Sequence, residues 1–182
     1  MNTIVQNIAT DSTLLSQAQS SQYLTFLVGQ ESFAISIMDV NEIIEISSVT
    51  HVPLTPDYIH GVINLRGSVV PVIDLSARLE HGCTTISKRS CIILVEITLT
   101  DSSQLIGMLV DEVKEILEIA PENIQSAPDF GSDIRTEFIQ AMGRVGDNFI
   151  ILLAISRVLS IDELSQLHQV SQAQENLVHA QS

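Results

Sequence analysis

Short apolar runs, closely spaced and each closed by turn residues, constrain this chain more than any other feature. From Tyr23 to Val28 a strand-like run is followed by a turn at Gly29–Ser32. Then Phe33, Ala34, Ile35, Ser36 and Ile37 alternate, which predicts a hairpin. Met38 and Asp39 supply one turn before Val40–Ile46, a strand whose alternation puts Val40, Glu42, Ile44 and Ile46 on one face. Pro53 and Pro56 break the pairing and predict a loop with a short helical turn over Leu54–His60. A second hairpin follows, Val62–Leu65 and Val69–Ile73 around Arg66, Gly67 and Ser68, with Gly67 supplying the backbone freedom of the turn. Pro71 in its return strand predicts a sheet edge or a bulge there, and Asp74–Leu79 predicts a short helix.

After a polar connection, His81–Arg89, the pattern repeats. Ser90–Leu99, Leu105–Val110 and Val113–Ile119 read as strands, the last with Val113, Glu115, Leu117 and Ile119 on one face. Ala127–Ser132 is a loop. Phe138–Val145 and Phe149–Ile155 form a hairpin around Gly146, Asp147 and Asn148, and Arg157–Leu167 is a closing helix with Ser156 as its cap. About ten short strands with few long helical patterns predict small barrels or a sandwich. The two halves share one order of elements, so a pair of similar barrels fits the pattern. Residues 1–20 are polar and read as a flexible arm with a brief helical turn at Leu14 and Leu15, and residues 166–182 as a polar tail.

Composition narrows the function. Twenty-two acidic residues against 8 Lys and Arg leave a formal charge of −14, which argues against nucleic acid or an anionic lipid surface as the main partner. The mean hydropathy is +0.31, yet the longest apolar run, Phe149–Ile155, is too short to span a bilayer. Without a secretory signal, Cys83 and Cys91 read as reduced thiols of a cytoplasmic protein.

Catalytic and metal motifs fail on spacing. The glycines assemble neither a P-loop nor a dinucleotide fingerprint, and no nucleophile elbow is present. His81, Cys83 and Cys91 lack the paired spacing of a structural zinc site. Asp111 and Glu112 are adjacent, so in extended backbone they point to opposite faces and cannot share a cleft. No cofactor or metal is therefore expected. Arg66 resists so plain an account. Strand parity puts it with Val62 and Asn64 on one face of an apolar ribbon, where a guanidinium must reach water or a carboxylate. Glu42 is the first candidate partner and Asp74 the second. The pair could fix barrel geometry or take part in binding.

The stretch Gly61-Val62-Ile63-Asn64-Leu65-Arg66-Gly67-Ser68-Val69-Val70-Pro71-Val72-Ile73-Asp74-Leu75 resembles the signature of the CheW family. Val40-Asn41-Glu42-Ile43 upstream and Ile106–Val113 downstream are similar to further family elements, and the resemblance covers about residues 21–165. It implies a mainly β fold of two SH3-like five-stranded barrels packed together, with short helices. The first barrel falls at about 21–85 and the second at about 86–165, with strands open to exchange between them. It also implies a non-enzymatic scaffold that couples the cytoplasmic tips of chemoreceptors to the regulatory domain of the chemotaxis histidine kinase. Such a scaffold is cytoplasmic and recruited to membrane-associated receptor arrays. Carried over by position, Val40, Glu42, Gly61, Asn64, Arg66 and Gly67 form or support the receptor groove. A small ligand-binding barrel or an enzyme is the alternative.

Overall fold

The computed structural model describes residues 22–98, 101–129 and 136–158, together with residues 176, 177 and 180. The expected arm at residues 1–20, the closing helix beyond Val158 and most of the tail lie outside the described residues. The described residues form eleven strands: β1 Gln22–Val28, β2 Glu31–Ser36, β3 Val40–Glu45, β4 Ile59–Leu65, β5 Ser68–Asp74, β6 Cys91–Thr98, β7 Ser103–Val110, β8 Glu112–Glu118, β9 Ile124–Gln125, β10 Ile139–Val145 and β11 Asn148–Leu153. Two short helices, α1 Leu75–Arg78 and α2 Ile155–Val158, follow the β4–β5 and β10–β11 hairpins. Asp74 caps α1 by accepting from the Ala77 amide. Helix α2 begins at Ile155, so Ser156 sits inside its first turn instead of capping it.

The strands form a six-stranded sheet, ordered β8-β1-β2-β11-β10-β9, and a five-stranded sheet, ordered β3-β6-β7-β5-β4. A cut at residue 85 passes through both. Hairpin β1–β2 lies in the first sheet, but β3, β4 and β5 join the second. Hairpin β6–β7 lies in the second sheet, but β8 to β11 join the first. Each half of the chain thus gives its opening hairpin to one sheet and its remaining strands to the other. The two-residue β9, absent from the expected count, makes the sixth strand.

In each sheet the chain runs directly from one outer strand to the other, β3 to β4 and β8 to β9. In the second sheet, β3 and β4 are opposite ends of the strand order, and the chain leaving β3 reaches across to β4. The Thr50 amide donates to the Val62 carbonyl (2.8 Å) and the Val62 amide donates to Thr50 (2.9 Å). Gly61 permits this seam. A Cβ there would strike the Thr50 carbonyl oxygen and lie 2.7 Å from Val49 Cγ1. In the first sheet, a 3-10 turn at Pro121–Asn123 carries the chain from β8 to β9, which pairs with β10 at Gln125↔Met142.

Among the described residues, three clusters fill the fold. Six buried residues, among them Ile63, Val72, Ile92 and Leu109, lie inside the second sheet, and four, including Ala34 and Leu152, inside the first. Eighteen lie in the cluster shared between the sheets. They come from β1 and β2 (Leu24, Phe26, Phe33, Ile35), from β6 and β7 (Ile93, Val95, Ile106, Met108) and from both helices. Most apolar burial is therefore reached only when the sheets pack on each other.

This double-sided burial accounts for several departures from simple alternation. Phe33, Ala34 and Ile35 are all buried, because Ala34 faces the interior of its own sheet while its neighbours face the shared core. Val40 does not share a face with Glu42 and Ile44. A bulge at Asn41 shifts the register from Val40↔Val95 to Glu42↔Leu94, so Val40 packs on the shared core and Ile44 inside the second sheet. A bulge between β1 and β8 does the same to Val113, which pairs with Phe26 while Leu117 packs inside the first sheet. The Thr25 hydroxyl satisfies that bulge, donating to the Glu115 carbonyl (2.8 Å) and accepting from its amide (3.2 Å).

Pro71 lies in an interior strand, one pairing step from the bulge at His60 in the β4–β5 ladder. It sits opposite Val62, whose amide and carbonyl turn away to Thr50, and parallel pairing of β5 with β7 begins only at Val72↔Gly107. The missing amide is needed by no ladder. The expected helical turn over Leu54–His60 is reduced to a single turn in which the Ile59 amide donates to the Pro56 carbonyl (2.9 Å), and from Ile59 the chain is strand.

Fragments 1–85 and 86–182 are expected to be unfolded when expressed apart and to recover β-type circular dichroism on mixing. A dispersed NMR spectrum from either fragment alone would contradict the shared core. Gly61→Ala is expected to destabilise the chain by roughly 1–3 kcal/mol in urea unfolding, because the seam must shift to admit a methyl group.

Candidate functional site

The β4–β5 hairpin closes in a two-residue turn, Leu65↔Ser68, with positive φ at Arg66 (52°) and Gly67 (89°). Arg66 is therefore a turn residue and not part of the Val62 and Asn64 face that parity assigned. The turn is braced by the Gly67 amide donating to Asn64 Oδ1 (2.9 Å). From this position the guanidinium arches over the mouth of the second sheet. Its Nη2 meets Glu42 Oε1 and Oε2, both at 3.0 Å. The side chains are 74% and 35% exposed, so the pair stands in water and contributes at most about 1 kcal/mol to folding.

The six residues singled out in the sequence thus divide. Glu42 and Arg66 touch. Asn64 and Gly67 hold the turn that aims Arg66, and Gly61 closes the sheet beneath it. Val40 lies across the bulge, on the shared-core side of β3. The alternative partner, Asp74, is committed elsewhere. It is buried, and besides capping α1 it accepts from the Thr84 amide and hydroxyl, both at 2.7 Å.

Arg78 was not singled out by its sequence context, yet among the described residues it is the buried cation. Its Nε donates to the Val158 carbonyl at 2.6 Å, and its guanidinium lies 4.9 Å and 4.8 Å from the ring centroids of Tyr58 and Phe138. It ties α1 of one half to α2 of the other. The one signal in the sequence is that Leu75-Ser76-Ala77-Arg78-Leu79 offers no polar face apart from Ser76 and Arg78 themselves.

Arg78 also lines a cleft of about 270 Å³ with Phe33, Leu79, His81, Phe138 and Ile151. A second cleft, about 380 Å³, is bounded by Asp39, Glu96, Gln140 and Arg157. Burial raises the Asp39 carboxyl above the usual range. Both clefts are open to solvent, and the described residues inside each sheet pack into apolar clusters, so neither cleft has the enclosure of a ligand-binding barrel. Among the described residues, no three His, Cys, Asp or Glu side chains gather to hold a metal ion. Asp111 accepts from the Gly29 amide (2.7 Å) and Glu112 pairs with Lys114 (3.2 Å), as befits strand-end charges. No described helix is long and apolar enough to cross a membrane.

Two intertwined sheets over a shared core, with the signature hairpin closing one mouth, define a double-sheet β domain, and comparison places it. The family model for the CheW-like domain matches residues 22–163. The chemotaxis protein CheW of Klebsiella aerogenes is 31% identical over 166 residues, which are 91% of this chain and 98% of that one. The chemotaxis protein CheW of Rhizobium meliloti is 34% identical over 142 residues, 78% of this chain and 89% of that one. Among solved structures, the scaffolding protein TtCheW from Thermoanaerobacter tengcongensis superposes with a TM-score of 0.70 at 33% identity, covering 79% of this chain and 90% of that one. The chain belongs to the CheW-like family.

Removing the two arginines is expected to have opposite consequences. Arg66→Ala changes the unfolding free energy by at most about 1 kcal/mol. Arg78→Ala loses a charged hydrogen bond and two ring contacts and costs roughly 2–4 kcal/mol in urea unfolding. The thiols are also distinguishable. Cys83 is exposed, whereas burial pushes the half-buried Cys91 thiol up, outweighing a backbone hydrogen bond from Val113. One equivalent of iodoacetamide near pH 8 is expected to label Cys83 first, as read by peptide mass spectrometry.

Proposed function

We propose that this chain is a chemotaxis scaffold that couples receptors to their histidine kinase and performs no reaction of its own. Its relatives are named as chemotaxis proteins, and the similar solved structure is named as a scaffolding protein. The observation that carries a docking role for the β3 and β4–β5 surface is energetic. Glu42 and Arg66 are held by a braced turn and a closed seam, yet their pair stands in water and adds little stability. A pre-organised charge pair of that kind serves recognition better than folding.

In this reading the receptor's cytoplasmic tip docks at Glu42 and Arg66. Asn64, Gly67 and Gly61 keep that surface in shape, and Val40 lies at its core-facing rim. The kinase's regulatory domain is held elsewhere on the chain, so both partners are bound together at receptor arrays beneath the membrane.

Isothermal titration of a receptor tip fragment into wild-type, Glu42→Ala and Arg66→Ala protein tests the assignment. Each substitution is expected to weaken binding by about tenfold while leaving the urea midpoint nearly unchanged. Wild-type affinity in both variants would remove these residues from the receptor surface. Titrating kinase regulatory domain into receptor-saturated protein is expected to give a ternary complex. Displacement of the receptor would contradict the coupling.

A further inference from the structure

The pairing registers repeat from one sheet to the other. In the second sheet Ile59 pairs with Ile73, a bulge follows, and Gly61 pairs with Val72. In the first, Ile139 pairs with Leu153, a bulge follows, and Ala141 pairs with Leu152. The hairpins close alike, Leu65↔Ser68 matching Val145↔Asn148, and each runs on to a four-residue helix. Val72 and Leu152 also make the parallel pairing of their sheets, with Gly107 of β7 and Ala34 of β2. The two halves of the chain are therefore related by an approximate twofold exchange. It sets Tyr58 on Phe138, each directly before the first strand residue of its hairpin. It sets Arg78 on Val158, each the last residue of its helix.

Arg78 thus touches its own counterpart. Its Nε donates to the Val158 carbonyl at 2.6 Å, and its guanidinium lies 4.9 Å from the Tyr58 ring and 4.8 Å from the equivalent ring of Phe138. A side chain bonded to its counterpart and equally far from two equivalent rings stands on the exchange axis, where the two halves meet. Arg78 is buried there, and the valine at position 158 spares it a second cation.

The shared cluster of eighteen residues holds the sheets together, but apolar contact is non-directional and leaves their angle weakly defined. A guanidinium is planar, stacks on aromatic rings and donates in a fixed fork, so its contacts carry direction. Arg78 leaves β5 of the second sheet through α1. Its contacts lie at Tyr58 on the way into β4 and, for the first sheet, at Phe138 before β10 and Val158 after β11.

We propose that Arg78 is a positioning residue: it fixes the angle between the two sheets, and through that angle the relation between partners bound to the chain at the same time. The second half of the proposal rests on the adaptor reading above. The first half is a property of the free chain and is tested without any partner.

Spin labels report the angle. They are placed by Glu45→Cys and Glu118→Cys on exposed positions of β3 and β8, one in each sheet, in a chain carrying Cys83→Ser and Cys91→Ala. Double electron–electron resonance on this parent is expected to give one narrow distance distribution. Arg78→Met keeps the apolar stem and removes the planar cation, and is expected to widen the distribution by about half or more while far-UV circular dichroism is unchanged. Arg78→Lys, a cation without the planar fork, is expected to widen it as much. Tyr58→Leu and Phe138→Leu each remove one ring, are expected to widen it less, and decide the matter should Arg78→Met not fold. A parent-like distribution in folded Arg78→Met, or in both ring variants, overturns the proposal. Full recovery in Arg78→Lys overturns the planar mechanism.

The consequence for coupling is read separately. Receptor tip fragment and kinase regulatory domain are each expected to bind Arg78→Met as they bind wild type. Receptor-dependent activity of the full kinase, reconstituted with that variant, is expected to fall about fivefold or more, because the partners are held at the wrong angle. Wild-type activity with a widened distribution overturns the link to coupling. A wild-type chain that binds neither fragment overturns the adaptor reading, while the distance measurement still decides the role of Arg78.

Discussion

Burial between the two sheets is the interaction on which the rest of the structure depends. Each sheet encloses a small cluster of its own, four or six buried residues, which is little to set against the entropy of ordering a curled sheet. The shared cluster of eighteen supplies what they lack. It draws on strands from both halves of the sequence, so neither half has a complete sheet or a complete core alone. Bulges at β3 and β8 follow from the same demand. Each strand must turn one residue toward the shared core and the next apolar pair toward its own sheet, and an extra residue is the local means of changing faces.

Electrostatics is distributed accordingly. Charges that serve folding are buried and over-determined: Arg78 between two rings and a carbonyl, Asp74 accepting from Ala77 and Thr84. Glu42 and Arg66 stand in water on a rigid frame, where an ion pair adds little stability and keeps its donors and acceptors available to a partner. The frame is costly to disturb and the pair is not, which is the arrangement a docking surface requires.

Much of this was legible in the sequence, because hairpins are local. Glycine and turn residues between apolar runs locate β1–β2, β4–β5 and β10–β11 to within about three residues, the largest miss being the start of β4 at Ile59 instead of Val62. The Glu42–Arg66 contact followed from one cation on an apolar ribbon and one acid on a nearby strand. What escaped was non-local. Strand parity misplaced Val40 and Val113 because a bulge leaves no mark in alternation. Pro71 suggested an edge because the partner freeing it, Thr50, lies 21 residues away, by subtraction of their numbers. Arg78 drew no attention because Tyr58, Phe138 and Val158 meet around it only in the fold.

The exchange of strands between halves has one further consequence. Within one molecule, each half donates strands to a sheet begun by the other, and every such contact would be equally satisfied by the same half of a neighbouring chain. What keeps the exchange private is the connection from Glu80 to Ser90, long and polar enough to let a chain fold back on itself. Local concentration of the tethered half then outcompetes any free one. The linker, none of whose residues enters the three apolar clusters, thereby bears on whether this sequence closes on itself or interlocks with a second copy.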